Sequence, residues 1–177
     1  MINRRFTIAA AVMTSVPLLI AVAQAQLGRD KVAFPQDYAK GVLYGTLDRP
    51  DIKQYRELWG PAAALEAAKA GKPLPDGTVL TLVQYAALPT AAGEPQKDAS
   101  GRFIKGRLVG YAVMEKRAGW GAEYAEQLRN GEWEYQAFSA DGKPNNAANV
   151  TACFACHKPL GEKVDFTFSY DRMKAAK

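Results

Sequence analysis

Apolar side chains fall along the chain in short blocks separated by turn residues, and most blocks carry the period of strands rather than helices. Residues 78–85, Thr-Val-Leu-Thr-Leu-Val-Gln-Tyr, are β-branched and apolar, too continuous to leave one face in water. Such a run predicts a central strand. Residues 108–114 and 133–138 predict two more strands, and 54–59, rich in large side chains before Gly60-Pro61, a fourth. Residues 165–170 alternate, with Phe166, Phe168 and Tyr170 on one face. The helical signal is brief. Residues 62–70 have very high helix propensity, Pro61 suits the first turn, and Gly71 supplies the stop. Residues 122–128 offer a second short helix before Asn130-Gly131.

Between these blocks the chain is turn chemistry. Phe34-Pro35-Gln36-Asp37-Tyr38 reads as a turn leading into a short helical or extended stretch through Leu43-Tyr44. Residues 72–77, 89–101 and 141–146 are Gly-, Pro- and Asn-bearing loops. No repeat at solenoid period is present. Four or five strands with a few short helices predict an α+β fold, mainly an antiparallel β-sheet, in one domain.

The first 25 residues change the picture of what is folded. Arg4 and Arg5 precede a mostly apolar run from Phe6 to Val22, and Ala23-Gln24-Ala25 is a small-x-small cleavage site. Residues 1–25 therefore read as a signal peptide, leaving 26–177 as the domain. The apolar run falls short of the roughly 20 residues a membrane span needs, so no membrane association is expected after cleavage. Export from a bacterial cytoplasm places the domain in the periplasm. The formal net charge of +5 falls by two once both arginines are removed, and no clustered basic stripe speaks for nucleic acid.

The sharpest candidate chemistry lies near the C-terminus. Cys153-Phe154-Ala155-Cys156-His157 holds both cysteines and the single histidine of the chain. A C-x-x-C-H run is a c-type haem attachment pattern: each thiol adds across one vinyl group, and the adjacent imidazole reaches the iron. A disulfide or a zinc site competes, but a structural zinc wants four Cys or His ligands and only three are on offer. Long helical periodicity, which a four-helix haem bundle needs, is denied by residues 78–114. With His157 as proximal ligand no second imidazole exists within one chain. Met114 and Met173 are the thioethers left for a sixth ligand, and both read first as core filler. The expected iron is therefore five-coordinate and open to small molecules.

The ordered set of motifs is similar to the cytochrome P-460 and cytochrome c′-beta family. It comprises residues 34–38, Asp76-Gly77-Thr78-Val79, Asn130-Gly131-Glu132-Trp133, Cys153 to His157, and Asp165-Phe166-Thr167-Phe168. The resemblance implies a small periplasmic monohaem protein, homodimeric, with one covalent haem c. It also implies a choice between two activities. Cytochrome P-460 enzymes carry a lysine cross-linked to the macrocycle, a few residues past the Asp-Gly-Thr-Val run, and oxidise hydroxylamine. Ungapped alignment puts Leu82 there, and no lysine lies between Lys72 and Lys97. The chain thus resembles the c′-beta branch, whose apolar distal pocket admits nitric oxide and carbon monoxide. Arg56 falls where the family strand has an arginine able to face the distal side, and the residue type alone favours a solvated position. Two other functions remain open: a hydroxylamine-oxidising enzyme, with Glu115 as a conceivable proton acceptor, and an electron carrier with a Met sixth ligand and a periplasmic redox partner.

Overall fold

A computed structural model describes residues 31–176, so the signal-peptide segment lies outside the described residues. Five strands form one antiparallel sheet: β1 (Val42–Arg49), β2 (Gln54–Gly60), β3 (Val79–Ala87), β4 (Lys105–Lys116) and β5 (Trp133–Ser139). Their spatial order is their chain order, a meander in which each strand pairs with the one before it. Three short α-helices complete the α+β domain: α1 (Ala62–Lys69), α2 (Val150–His157) and α3 (Tyr170–Ala175). No described helix is long and apolar enough to cross a membrane.

The apolar run of 78–85 becomes β3, the middle strand, and the register explains its lack of a polar face. Leu58, Leu82 and Ala112 lie opposite one another across β2, β3 and β4, as do Trp59, Thr81 and Val113 one residue along. Side chains alternate across a strand, so these rows belong to opposite faces. One face, with Leu58, Leu80 and Met114, packs under the helices with Leu65, Phe154, Tyr170 and Met173. The other, with Val83, Tyr111, Val113 and Phe138, is covered by Val32, Phe34 and Tyr38 from the N-terminal segment. Both faces of the central strand thus carry a hydrophobic core.

Two local expectations are corrected, at 122–128 and 165–170. The stretch through Leu43-Tyr44 takes the extended of its two expected forms, as the start of an eight-residue strand, β1. Its signal is weak because it is an edge: Leu43 is exposed, and the register slips between Leu43 and Gly45. Residues 122–128 form no α-helix; a 3-10 turn spans Trp120–Glu123, and Tyr124 is extended. Helix propensity yields there to burial, because Tyr124 is turned into the core against Phe154, ring centroids 4.8 Å apart. Residues 165–170 alternate without forming a strand. Asp165 and Phe166 are both left-handed, at φ 49° and 53°, and the chain then enters α3.

The second face carries a buried charge. Glu134 is fully buried, and Lys31, 3.4 Å from its Oε1, is the counter-charge, shared with the exposed Glu123. Burial pushes the Glu134 carboxyl above its ordinary value of 4.5, while the Tyr124 hydroxyl and Lys31 offset this in part. A carboxyl raised in the folded state contributes stability that is fully present below pH 4.5 and lost as pH rises through the folded value. Urea unfolding between pH 4.5 and 7 is therefore expected to give Glu134→Gln a flatter dependence on pH than wild type. Parallel curves would mean that Glu134 ionises in the fold as freely as in the unfolded chain.

Candidate functional site

The helix-covered face of the sheet opens into a cavity of about 460 Å³, within the roughly 300–1,000 Å³ of cofactor sites. Leu47, Leu58, Leu80 and Leu82 supply its sheet wall, and Cys156, His157 and Phe168 come from the segment carrying α2. Leu82 and Arg56 are thereby brought to the same cavity as His157 and Cys156. Cys153, one helical turn earlier, packs at the edge of the apolar core instead. Both cysteines are free thiols. At i and i+3 of one helix they project to the same side.

The sequence folds locally so as to fix this helix in place. Asn149 caps α2, its side chain accepting from the Ala152 N–H at 3.3 Å. Inside the turn, Phe154 is clamped between Tyr124 and Tyr135, each ring centroid 4.8 Å away. Asn130, almost wholly buried, donates to the Phe154 carbonyl at 3.0 Å and to the Tyr135 hydroxyl at 3.1 Å. Gly131 beside it is left-handed, and a Cβ there would come 3.2 Å from the Phe166 ring. The Asn130-Gly131 pair is thus a clamp on the site from below.

His157 is oriented by an unusual piece of backbone. Its Nδ1 lies 2.7 Å from the Phe166 carbonyl. A carbonyl only accepts, so Nδ1 carries the proton and Nε2 keeps its lone pair. Burial lowers the imidazole's pKa below its ordinary value, and the Phe166 bond opposes this only in part. Burial favours the neutral ring and the Phe166 bond fixes its tautomer, which leaves one ligating nitrogen, the form a metal takes. The Phe166 carbonyl points there because Asp165 and Phe166 are consecutive left-handed residues, a conformation that costs about 1–3 kcal/mol for each non-Gly residue.

Asp165 holds that bend. Its carboxylate accepts from the Leu74 N–H at 2.8 Å and Trp133 Nε1 at 3.2 Å, both buried, and from the part-buried Lys116 Nζ at 2.7 Å. Lys116 also donates to the Leu74 carbonyl at 2.9 Å. Sequence reasoning saw Asp165 as the start of an alternating stretch and of one motif of the resemblance, without the network it anchors. It likewise missed Asn130 as the helix clamp. Asn and Asp beside positions of positive φ were the available signal.

The remaining sequence candidates divide. Met114 lines the cavity, whereas Met173 is fully buried in the core and does not. Glu115 is corrected as a proton acceptor for the site: it pairs across strands with Val79 and Glu134, on the opposite face of the sheet, and accepts from Arg117 at 2.7 Å. Phe168 is 60% exposed with its ring 5.0 Å from His157, an apolar surface that a planar cofactor would cover.

A sheet-walled apolar cavity, two thiols one turn apart and an imidazole with a single free nitrogen define a small α+β cofactor-binding domain. The donor set fits haem: soft thiols for the vinyl groups, neutral imidazole for iron and an apolar wall for the macrocycle. The chain belongs to the cytochrome P460 family, whose model, described as Cytochrome P460, matches residues 35–169. Membership implies a haem cofactor. No curated protein matches the chain at a significant level.

Proposed function

We propose that the protein is an exported c-type monohaem cytochrome of the c′-beta kind, binding nitric oxide or carbon monoxide at an open iron position. In this reading Cys153 and Cys156 hold the haem through thioethers, and His157 ligates iron through Nε2. When bound, the haem supplies an iron centre with an exchangeable position. The chain's own residues orient the imidazole, exclude water and shape the approach. The observation that carries the reading is the cavity's lining: Leu58, Leu80, Leu82 and Ala112 make an apolar wall, and no lysine and no carboxylate is among its described residues. A small neutral ligand suits such a wall. A lysine cross-link and a proton acceptor, which hydroxylamine oxidation calls for, have no candidate there. The resemblance extends the proposal to a homodimer in the periplasm, served by a redox partner.

Met114 favours a second reading, since its thioether is on the cavity wall and Met–His ligation is the usual electron-carrier arrangement. One preparation separates the two. Haem stain is expected to persist on denaturing gels, and the reduced protein is expected to be high-spin at neutral pH and to take up carbon monoxide. A low-spin reduced spectrum that Met114→Ala converts to high-spin would establish the electron carrier instead. A red-shifted ferrous band would point to a cross-linked macrocycle and the hydroxylamine-oxidising enzyme.

A further inference from the structure

The cavity carries a charge that a neutral diatomic ligand does not explain. Arg49, Arg56 and Arg172 all line it. The β1–β2 register sets Leu47 opposite Arg56 and Arg49 opposite Gln54, which makes the two arginines diagonal neighbours on one face. Arg49 is met from the solvent side by Asp51, at 2.9 and 2.6 Å. Arg56 is half-buried, and its Nε donates to a neutral acceptor, Gln54 Oε1, at 2.9 Å. Neither Arg56 nor Arg172 is in an ion pair among the described residues. Burial first, and the Arg49 charge second, lower the Arg56 guanidinium's pKa from its ordinary value. Arg172 arrives from α3, its stem lying where a Cβ on Gly45 would be 3.7 Å from the arginine Cδ.

Arg49 and Arg56, diagonal on one sheet face, repel one another unless an anion lies near them, and Arg172, exposed on α3, reaches the same cavity. Their planar forks match carboxylates and small oxyanions. We propose that Arg56 and Arg172, with Arg49 beside them, form an anion-binding wall of the cavity that takes a carboxylate or a small oxyanion of the nitrite class. The inference rests on the reading of the cavity as the haem site. The same chemistry has two sources, the haem's own propionates or a free anion.

The test compares haem-loaded wild type with Arg56→Gln, Arg172→Gln and the double variant. Arg107→Gln, an exposed β4 arginine outside the cavity lining, controls for net charge. Nitrite and formate are titrated into the ferric protein at constant ionic strength. The haem propionate bands are read by resonance Raman, and the midpoint potential is measured. A free-anion wall weakens nitrite and formate binding at least about tenfold in the double variant, each factor of ten being about 1.4 kcal/mol. A propionate wall shifts the propionate bands and lowers the midpoint potential, because a removed positive charge favours the ferric state. All three readouts matching Arg107→Gln overturn the proposal. Protein without Soret absorption fails the haem reading instead. The wall is then judged on the unloaded chain, where formate must raise Tm above equimolar chloride in wild type and fail to do so in the double variant.

Discussion

Replacing Asp165 with alanine is expected to cost about 3–5 kcal/mol, the range for breaking a buried ion pair by removing one partner. Lys116 would keep its charge with only the Leu74 carbonyl and the Trp133 ring beside it, at 2.9 Å and 5.7 Å. The Leu74 N–H and Trp133 Nε1 would lose their acceptor as well. The loss extends to the site, because the Asp165 carboxylate ties the left-handed pair, which aims the Phe166 carbonyl at His157, to β4, β5 and Leu74. Guanidinium unfolding measures the first effect. The iron–histidine stretching frequency of the loaded protein measures the second, with a shift expected as the imidazole loses its Nδ1 acceptor. Asp165→Asn keeps an acceptor without the charge and is expected to fall between the two. A variant as stable as wild type would show that Lys116 is solvated rather than paired.

Leu82→Ala is the second large effect, and it acts on ligand rates more than on stability. Leu82 lies on the apolar wall of the cavity that holds His157, so a shorter side chain opens space on the approach proposed for the ligand. Relief of about 1.4 kcal/mol of steric pressure raises the carbon monoxide association rate about tenfold. Full burial of Leu82 would have implied a stability loss of roughly 2–5 kcal/mol. Leu82 is only half-buried, so a loss at or below about 2 kcal/mol is expected. Flash photolysis gives the rate, and an unchanged rate would place Leu82 away from the ligand's path.

The sheet was legible because its signals are two-sided. A run such as 79–83 has no polar face to hide, and turn residues bracket it on both ends. The edge strand β1 was half legible, left between helical and extended, since an exposed Leu43 and a slipped register at Gly45 erase the alternation that reveals a strand. The cavity's chemistry was half legible. Cys153, Cys156 and His157 are adjacent in sequence and stood out as a motif. Asp165, Asn130 and Arg172 act through partners far along the chain: Lys116, Phe154 and the cavity wall opposite α3. No local pattern encodes such pairings. The alternation at 165–170 misled for the same reason, because a buried carboxylate network selects the left-handed bend against the local preference of Phe166.

The meander also sets an order of assembly. Each strand closes onto the one before it, across four residues between β1 and β2 and 16 to 18 residues at the other three steps, and closure cost grows only slowly with such lengths. Such nearest-neighbour topologies favour rapid folding. The C-x-x-C-H helix follows all five strands in the chain. A polypeptide threaded from its N-terminus thus delivers its thiols after every strand of the sheet, and the Asp165 bend that aims His157 arrives only after them.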